Sequence, residues 1–307
     1  MMVRLELSNR TMISVDTVLV PTDGSAGAEA TIARAIDLAE TYGAAVHALY
    51  VVDEGIGATD ADLDADQLEA ASAHSEPRGR DATIQVTNRA EERGLETARE
   101  VREGVPHRSI LSYADEHDVD LIAMGTHGRT RAGEERARMG STTERVITLG
   151  DVPVLSVPLT ADTPDDPELE RVVVPTDGSD AAERAADGAL EIAERYDAEI
   201  RPVYVVDATI YDLEDAPRSI IGLLSEGGEN ATETVAAAAA ERDLEAVTAV
   251  RRGVPADELL EYATDVGADL VVMGTRGRAA GAADDRLLGS TTARVVSRAE
   301  VPVLVVE

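Results

Sequence analysis

The chain has 307 residues, 44% of them hydrophobic, enough for about two domains with ordinary packed cores. Its 60 acidic and 28 basic residues leave a net charge of −32, a sign that repels nucleic acid and anionic membranes, which are bound through a positive footprint. There is no cysteine or lysine and only 2% aromatic content, which excludes disulfides, thiolate chemistry, lysine-gripped P-loops and extensive base stacking on aromatic side chains.

The acids are scattered through every segment instead of forming a block, the pattern of a solvated surface. They predict a protein kept soluble in a salt-rich cytoplasm, from a halophilic source. No apolar run approaches the ~20 residues that span a bilayer. The opening MMVRLELSNRTMISVD lacks a signal-peptide core.

In chain order, 15–21 reads as a strand whose continuous apolar character suits burial on both faces. Ser25 then opens a helix with Ile32, Ile36, Ala39 and Tyr42 on one side, ended by Gly43. A second strand spans 44–52. The stretch 54–69 holds six acids and no base and reads as a solvated excursion. A second helix runs to about 93, and 96–103 is a third strand. Pro106 suits the first turn of a helix that buries Ile110, Leu111, Tyr113 and Ala114. The fourth strand, 120–124, ends in a glycine turn, and a helix over 140–149 and a strand over 152–157 close the unit.

The chain then repeats itself. VLVPTDGS over 18–25 returns as VVVPTDGS over 172–179, and DLIAMGTHGR over 120–129 returns as DLVVMGTRGR over 269–278. The expected division is 15–158, a Pro/Asp-rich linker over 159–170, and 171–307. Strand–helix alternation implies a mostly parallel five-stranded sheet in each unit, with helices on both faces and a ligand crevice at the carboxyl ends of the strands.

Those ends gather the candidate binding residues. The first strand delivers Pro21, Thr22 and Asp23, the second passes through Val51, and the fourth ends at Met124, Gly125, Gly128 and Arg129. Glycines let a backbone approach a phosphate, an arginine can clamp it, and the helix start Gly140-Ser141-Thr142 offers amides to an anion. The second unit offers Pro175, Thr176, Asp177, Val205, Met273, Gly274, Gly277, Arg278, Gly289, Ser290 and Thr291. An aspartate before Gly-Ser is also an ordinary turn device, and Ser141-Thr142-Thr143-Glu144 also fits a capping box. The second unit has Ala293 in place of that glutamate. The five histidines (His47, His74, His107, His117 and His127) have no metal-ligand spacing, and no nucleophile elbow is present.

Together VPTDGS, LYVVD, REGVPH or RRGVPA, MGTHGR or MGTRGR, GSTT and VPVL resemble a universal stress protein in tandem, over nearly the whole chain. The resemblance implies two Rossmann-like domains of the adenine-nucleotide alpha-hydrolase type. It implies ATP or a related adenine nucleotide in each, Mg2+ as an accompanying ion, and hydrolysis that is slow or absent. Adenine would lie by Asp23 and Val51, and ribose and phosphates against the glycine turn and Ser141-Thr142. Eleven residues separate Gly128 from Gly140 and Gly277 from Gly289, where the family pattern has nine. Family members pair through the last strand, so the halves are expected to pair within one chain, with a homodimer of chains as a further step. The alternative is a nucleotide-independent regulatory or scaffold protein acting through protein partners.

Overall fold

The computed structural model describes residues 15–25, 28–53, 65–127, 138–159, 169–209, 218–277 and 287–307. The first half contains β1 (Thr17–Pro21), α1 (Ala28–Tyr42), β2 (Ala45–Asp53), α2 (Ala65–Glu92), β3 (Thr97–Gly104), α3 (Pro106–Glu116), β4 (Leu121–Gly125), α4 (Ser141–Leu149) and β5 (Val154–Val157). The second contains β6 (Arg171–Pro175), α5 (Asp180–Tyr196), β7 (Glu199–Asp207), α6 (Arg218–Ala240), β8 (Ala249–Gly253), α7 (Pro255–Asp265), β9 (Leu270–Gly274), α8 (Ser290–Arg298) and β10 (Val303–Val306).

The expected order of elements is present, with one difference. Residues 65–69, read as part of the solvated excursion, belong to the first turns of α2. Ala, Gln, Leu and Glu are good helix formers, and their high charge did not prevent helix formation. The rest of the excursion, 54–64, lies outside the described residues.

The ten strands of the described residues join one sheet in the order β3-β2-β1-β4-β5-β10-β9-β6-β7-β8. Pairing is parallel throughout except at the centre, where β5 and β10 run antiparallel with Leu304 opposite Leu155. The two five-stranded halves therefore meet edge to edge, across an approximate two-fold axis. Alternation along each strand divides the core into two layers. Val18 and Val20 face the layer of α1, α2, α5 and α6, while Leu19 faces that of α3, α4, α7 and α8. Both layers run through both halves. Without Phe or Trp they are filled by Val, Ala, Leu and Ile, with Tyr113 among the few large rings fully enclosed.

The first residue of each repeated DL motif has a structural task. Asp120 Oδ2 accepts from the amides of Asp16 and Thr17 at 2.8 and 2.9 Å. Asp269 Oδ2 does the same for Glu170 and Arg171 at 3.0 and 2.9 Å. Each carboxylate fixes where the first strand of its half begins, and so the register of that strand's carboxyl end.

The halves also meet through their first helices. Tyr196 Oη on α5 donates to Asp37 Oδ2 on α1 at 2.8 Å, and the Arg195 guanidinium lies 4.9 Å from the centre of the Tyr42 ring. Burial, with Glu191 nearby, pushes the Tyr42 hydroxyl up to about 12. Burial, with Asp37 nearby, pushes Tyr196 up as well.

Candidate functional site

At the carboxyl end of β1 the chain turns at once. The Thr22 amide still donates to Leu49 O of β2 at 2.9 Å, so the turn is pinned to the sheet. Thr22 Oγ1 accepts from the Gly24 amide and Asp23 Oδ1 from the Ser25 amide, at 3.2 and 3.0 Å. Gly24 has φ of +68°, a left-handed conformation that favours glycine. The second half copies every part: Thr176 to Val203 O, Gly178 to Thr176 Oγ1, Ser179 to Asp177 Oδ1, and Gly178 at φ +71°. Asp23 and Asp177 thus build the turn with one carboxylate oxygen, and both are only partly buried.

The second wall comes from β4 and β9. Met124 and Met273 are buried in the core, and Gly125 and Gly274 follow as the last strand residues. In the second half the turn reaches the first wall directly. A Cβ placed on Gly277 would lie 2.5 Å from Asp177 Oδ2, so only a glycine sits there without displacing the carboxylate. Gly128, Arg129 and Arg278 lie outside the described residues. Val51 and Val205, partly buried near the ends of β2 and β7, supply an apolar surface beside the aspartate turns.

The third wall is the start of α4 and of α8. Each helix is tied to the strand that precedes it in the same way. The Gly140 amide donates to Thr126 O at 2.9 Å and Thr143 Oγ1 donates to Gly125 O at 2.9 Å. Gly289 and Thr292 do the same for Thr275 O and Gly274 O, again at 2.9 Å each. Thr126 is fixed in turn by Ser156, its hydroxyl 2.8 Å from the serine Oγ. Sequence reasoning singled out Ser141 and Thr142 but missed Thr143, Thr292 and Thr126. The signal was the second threonine of GSTT and the threonine of MGT, present in both copies.

The capping box does not form. The N-cap residues are Gly140 and Gly289, which have no side chain to offer, so Ser141 and Ser290 lie inside the helix instead of capping it. Ser141 and Ser290 are exposed, Thr142 and Thr291 half-buried, and among the described residues none of these four hydroxyls makes a hydrogen bond. A helix start without a side-chain cap leaves its first amides pointing at whatever approaches, and with the helix dipole this favours an anion.

The electrostatics differ between halves. Beside α4, burial together with Arg145 and Arg108 holds the His107 imidazole below its ordinary value. The positions matching His107 and Arg108 in the second half are Ala256 and Asp257, and Asp257 is bound to Arg298. His127 in the first glycine turn is matched by Arg276, whose guanidinium lies 3.2 Å from Glu307. Among the described residues no three His, Asp or Glu side chains gather as a metal ion would require. The fold does join His47, Tyr113 and His117, with Tyr113 Oη 3.1 Å from His47 Nδ1 and the histidine ring centres 5.7 Å apart.

The sequence profile of the universal stress protein family matches residues 14–158 and again 168–307. The chain belongs to the universal stress protein family. A universal stress protein of Methanocaldococcus jannaschii is 40% identical over 141 residues, which are 45% of this chain and 82% of the relative. One of Bacillus subtilis is 29% identical over 148 residues, 45% of this chain and 99% of its own. Among solved structures, a universal stress protein from Archaeoglobus fulgidus aligns with a TM-score of 0.70 at 21% identity, over 96% of this chain and 97% of its own. That likeness extends across both halves, so this universal stress protein shares the tandem fold as well as the single-domain sequence pattern.

Proposed function

We propose that each half, 15–158 and 171–307, binds one adenine nucleotide, ATP or a close relative, as a regulatory ligand in a cytoplasmic stress response. The observation that carries this reading is the uncapped start of α4 and α8, locked to the preceding strand turn by the same two hydrogen bonds in each half. A helix start fixed that firmly, with the hydroxyls of Ser141, Thr142, Ser290 and Thr291 uncommitted, suits phosphates held without induced rearrangement. The phosphates, with Mg2+ as counter-ion, would meet Gly125, Gly128, Arg129, Gly140, Ser141 and Thr142, and their partners in the second half. Asp23 and Asp177 would receive a ribose hydroxyl, and Val51 and Val205 the adenine.

The carboxylates of the first-strand turns, Asp23 and Asp177, already accept the Ser25 and Ser179 amides. A group so engaged is poorly set to take a proton from an attacking water, which supports a ligand that is kept instead of hydrolysed. The eleven-residue spacer before each helix start favours a second reading, in which the chain acts through protein partners without nucleotide.

Calorimetry in high salt with ATP, ADP, AMP and cAMP separates the two readings. Saturable binding that disappears in Gly128→Val with Gly277→Val, the fold being retained by circular dichroism, supports the nucleotide site. Absence of heat from all four ligands with the unmodified chain overturns it.

A further inference from the structure

The two phosphate ends are built alike but connected differently. In the first half the residue before the helix start, Met139, is buried, and its amide donates to Ser297 Oγ at 3.1 Å. Ser297 belongs to α8, the helix whose first turn is the phosphate end of the second half. It stands near the last turn, and its hydroxyl donates to Ala293 O. One nine-residue helix therefore carries the second site at its start and the support of the first site near its end.

By the internal repeat, Met139 corresponds to Leu288 and Ser297 to Thr148. The reciprocal bond is not made. Thr148 Oγ1 donates to Glu144 O within its own helix, and among the described residues no hydrogen bond joins it to Leu288. Instead both residues line a shallow open cleft, with Ile147, Leu287, Arg276 and Glu307. Leu288 there is half-buried, whereas its counterpart Met139, the residue before Gly140, is 5% exposed. The first phosphate end is thus preset by the second half, and the second is not preset by the first. The charges differ as well, with Arg108 beside α4 where Asp257, bound to Arg298, stands beside α8.

We propose that the two sites are unequal and linked: Ser297 holds the start of the first site in place, so the first half binds its nucleotide more tightly and senses whether the second is filled. This rests on the nucleotide reading above. A ligand that fixes the first turn of α8 fixes Ser297 with it, and ordering a support in advance lowers the cost of binding on that support.

The test is calorimetric titration of the full chain with ATP in high salt. Two steps are expected. Gly277→Val, which silences the second site, removes the weaker step and leaves the tighter one within twofold, because the tighter step takes place with the second site empty. Gly128→Val, which silences the first site, weakens binding at the second, because linkage is reciprocal. Ser297→Ala weakens the tighter step about fivefold, the worth of one net hydrogen bond, and Ser297→Thr, which keeps the hydroxyl, restores it. In the Ser297→Ala background Gly128→Val no longer weakens binding at the second site, because the link is already cut. Two identical independent steps, a tight step that is lost with Gly277→Val, a second site indifferent to Gly128→Val, or one that Gly128→Val still weakens in the Ser297→Ala background overturn the linkage while leaving nucleotide binding intact. So does weaker binding at the second site when Ser297→Ala is added to Gly128→Val, which would mark a purely structural role. Absence of any heat with ATP, ADP, AMP and cAMP in the unmodified chain overturns the nucleotide reading and this inference together.

Discussion

Thr143 and Thr142 are neighbours in one helix turn, yet the structure gives them different work. The Thr143 hydroxyl donates to Gly125 O at 2.9 Å from a side chain only 3% exposed, whereas Thr142 is half-buried and makes no hydrogen bond. Thr143→Val removes a bond worth about 1 kcal/mol net and leaves a carbonyl short of a partner, at a cost of about 1–3 kcal/mol in total. The added buried methyl returns about 0.8 kcal/mol. A net loss of about 1.2 kcal/mol lowers the melting temperature by roughly 2–5 °C in a domain of this size. Thr142→Val is expected to stay within about 0.5 kcal/mol of the unmodified chain, as surface changes do. Thermal unfolding followed by far-ultraviolet circular dichroism distinguishes the two. Nucleotide titration should show the converse for Thr142→Val, whose loss falls on binding. Equal melting temperatures for the two variants would refute the assignment of Thr143 as the lock and Thr142 as the ligand-facing hydroxyl.

Alkaline stability should follow the two interface tyrosines. Their hydroxyls are pushed above the ordinary value of 10.0, Tyr42 to about 12, so their contribution is full below about pH 10 and is lost as pH rises through the folded values. Denaturant midpoints measured alongside the tyrosinate absorbance should fall in that window, and less steeply in Tyr196→Phe. At the acid side, burial and His117 hold His47 below 6.5, so its contribution is present above that pH and lost as pH falls through the lowered value. A midpoint that stays flat between about pH 5 and 8, or that His47→Gln leaves unaltered, would contradict this. Finally, a net charge of −32 should make the fold salt-dependent, because screening is weak in dilute buffer. Unfolding on dialysis to low salt is expected, and full stability there would remove the case for a salt-rich habitat.

The duplicated motifs made the fold legible, because strand ends and helix starts leave local marks: an apolar run stopped by glycine, or a proline at a first helical position. Asp23 and Gly24 were readable for the same reason, since an Asx turn is closed within three residues. What escaped the sequence depends on contacts distant along the chain. The bond from Thr143 to Gly125 spans 18 residues, and that from Met139 to Ser297 spans 158. Nothing in GSTT says which of its hydroxyls turns inward, and the capping box failed because the helix begins at the serine itself, with the glycine before it as N-cap. His47 and His117 looked unrelated because the fold, not their spacing, brings them together.

The antiparallel seam between β5 and β10 also decides how assembly responds to dilution. A half with a bare inner edge would have to find a second molecule, and its state would follow protein concentration by mass action. Here the partner edge is carried on the same chain, at an effective concentration that dilution cannot alter. Closure of the seam is therefore a unimolecular event, and among the described residues β3 and β8 are the outer edges of the sheet. Each half meets the other in fixed one-to-one proportion, which allows the two to diverge in sequence without losing each other.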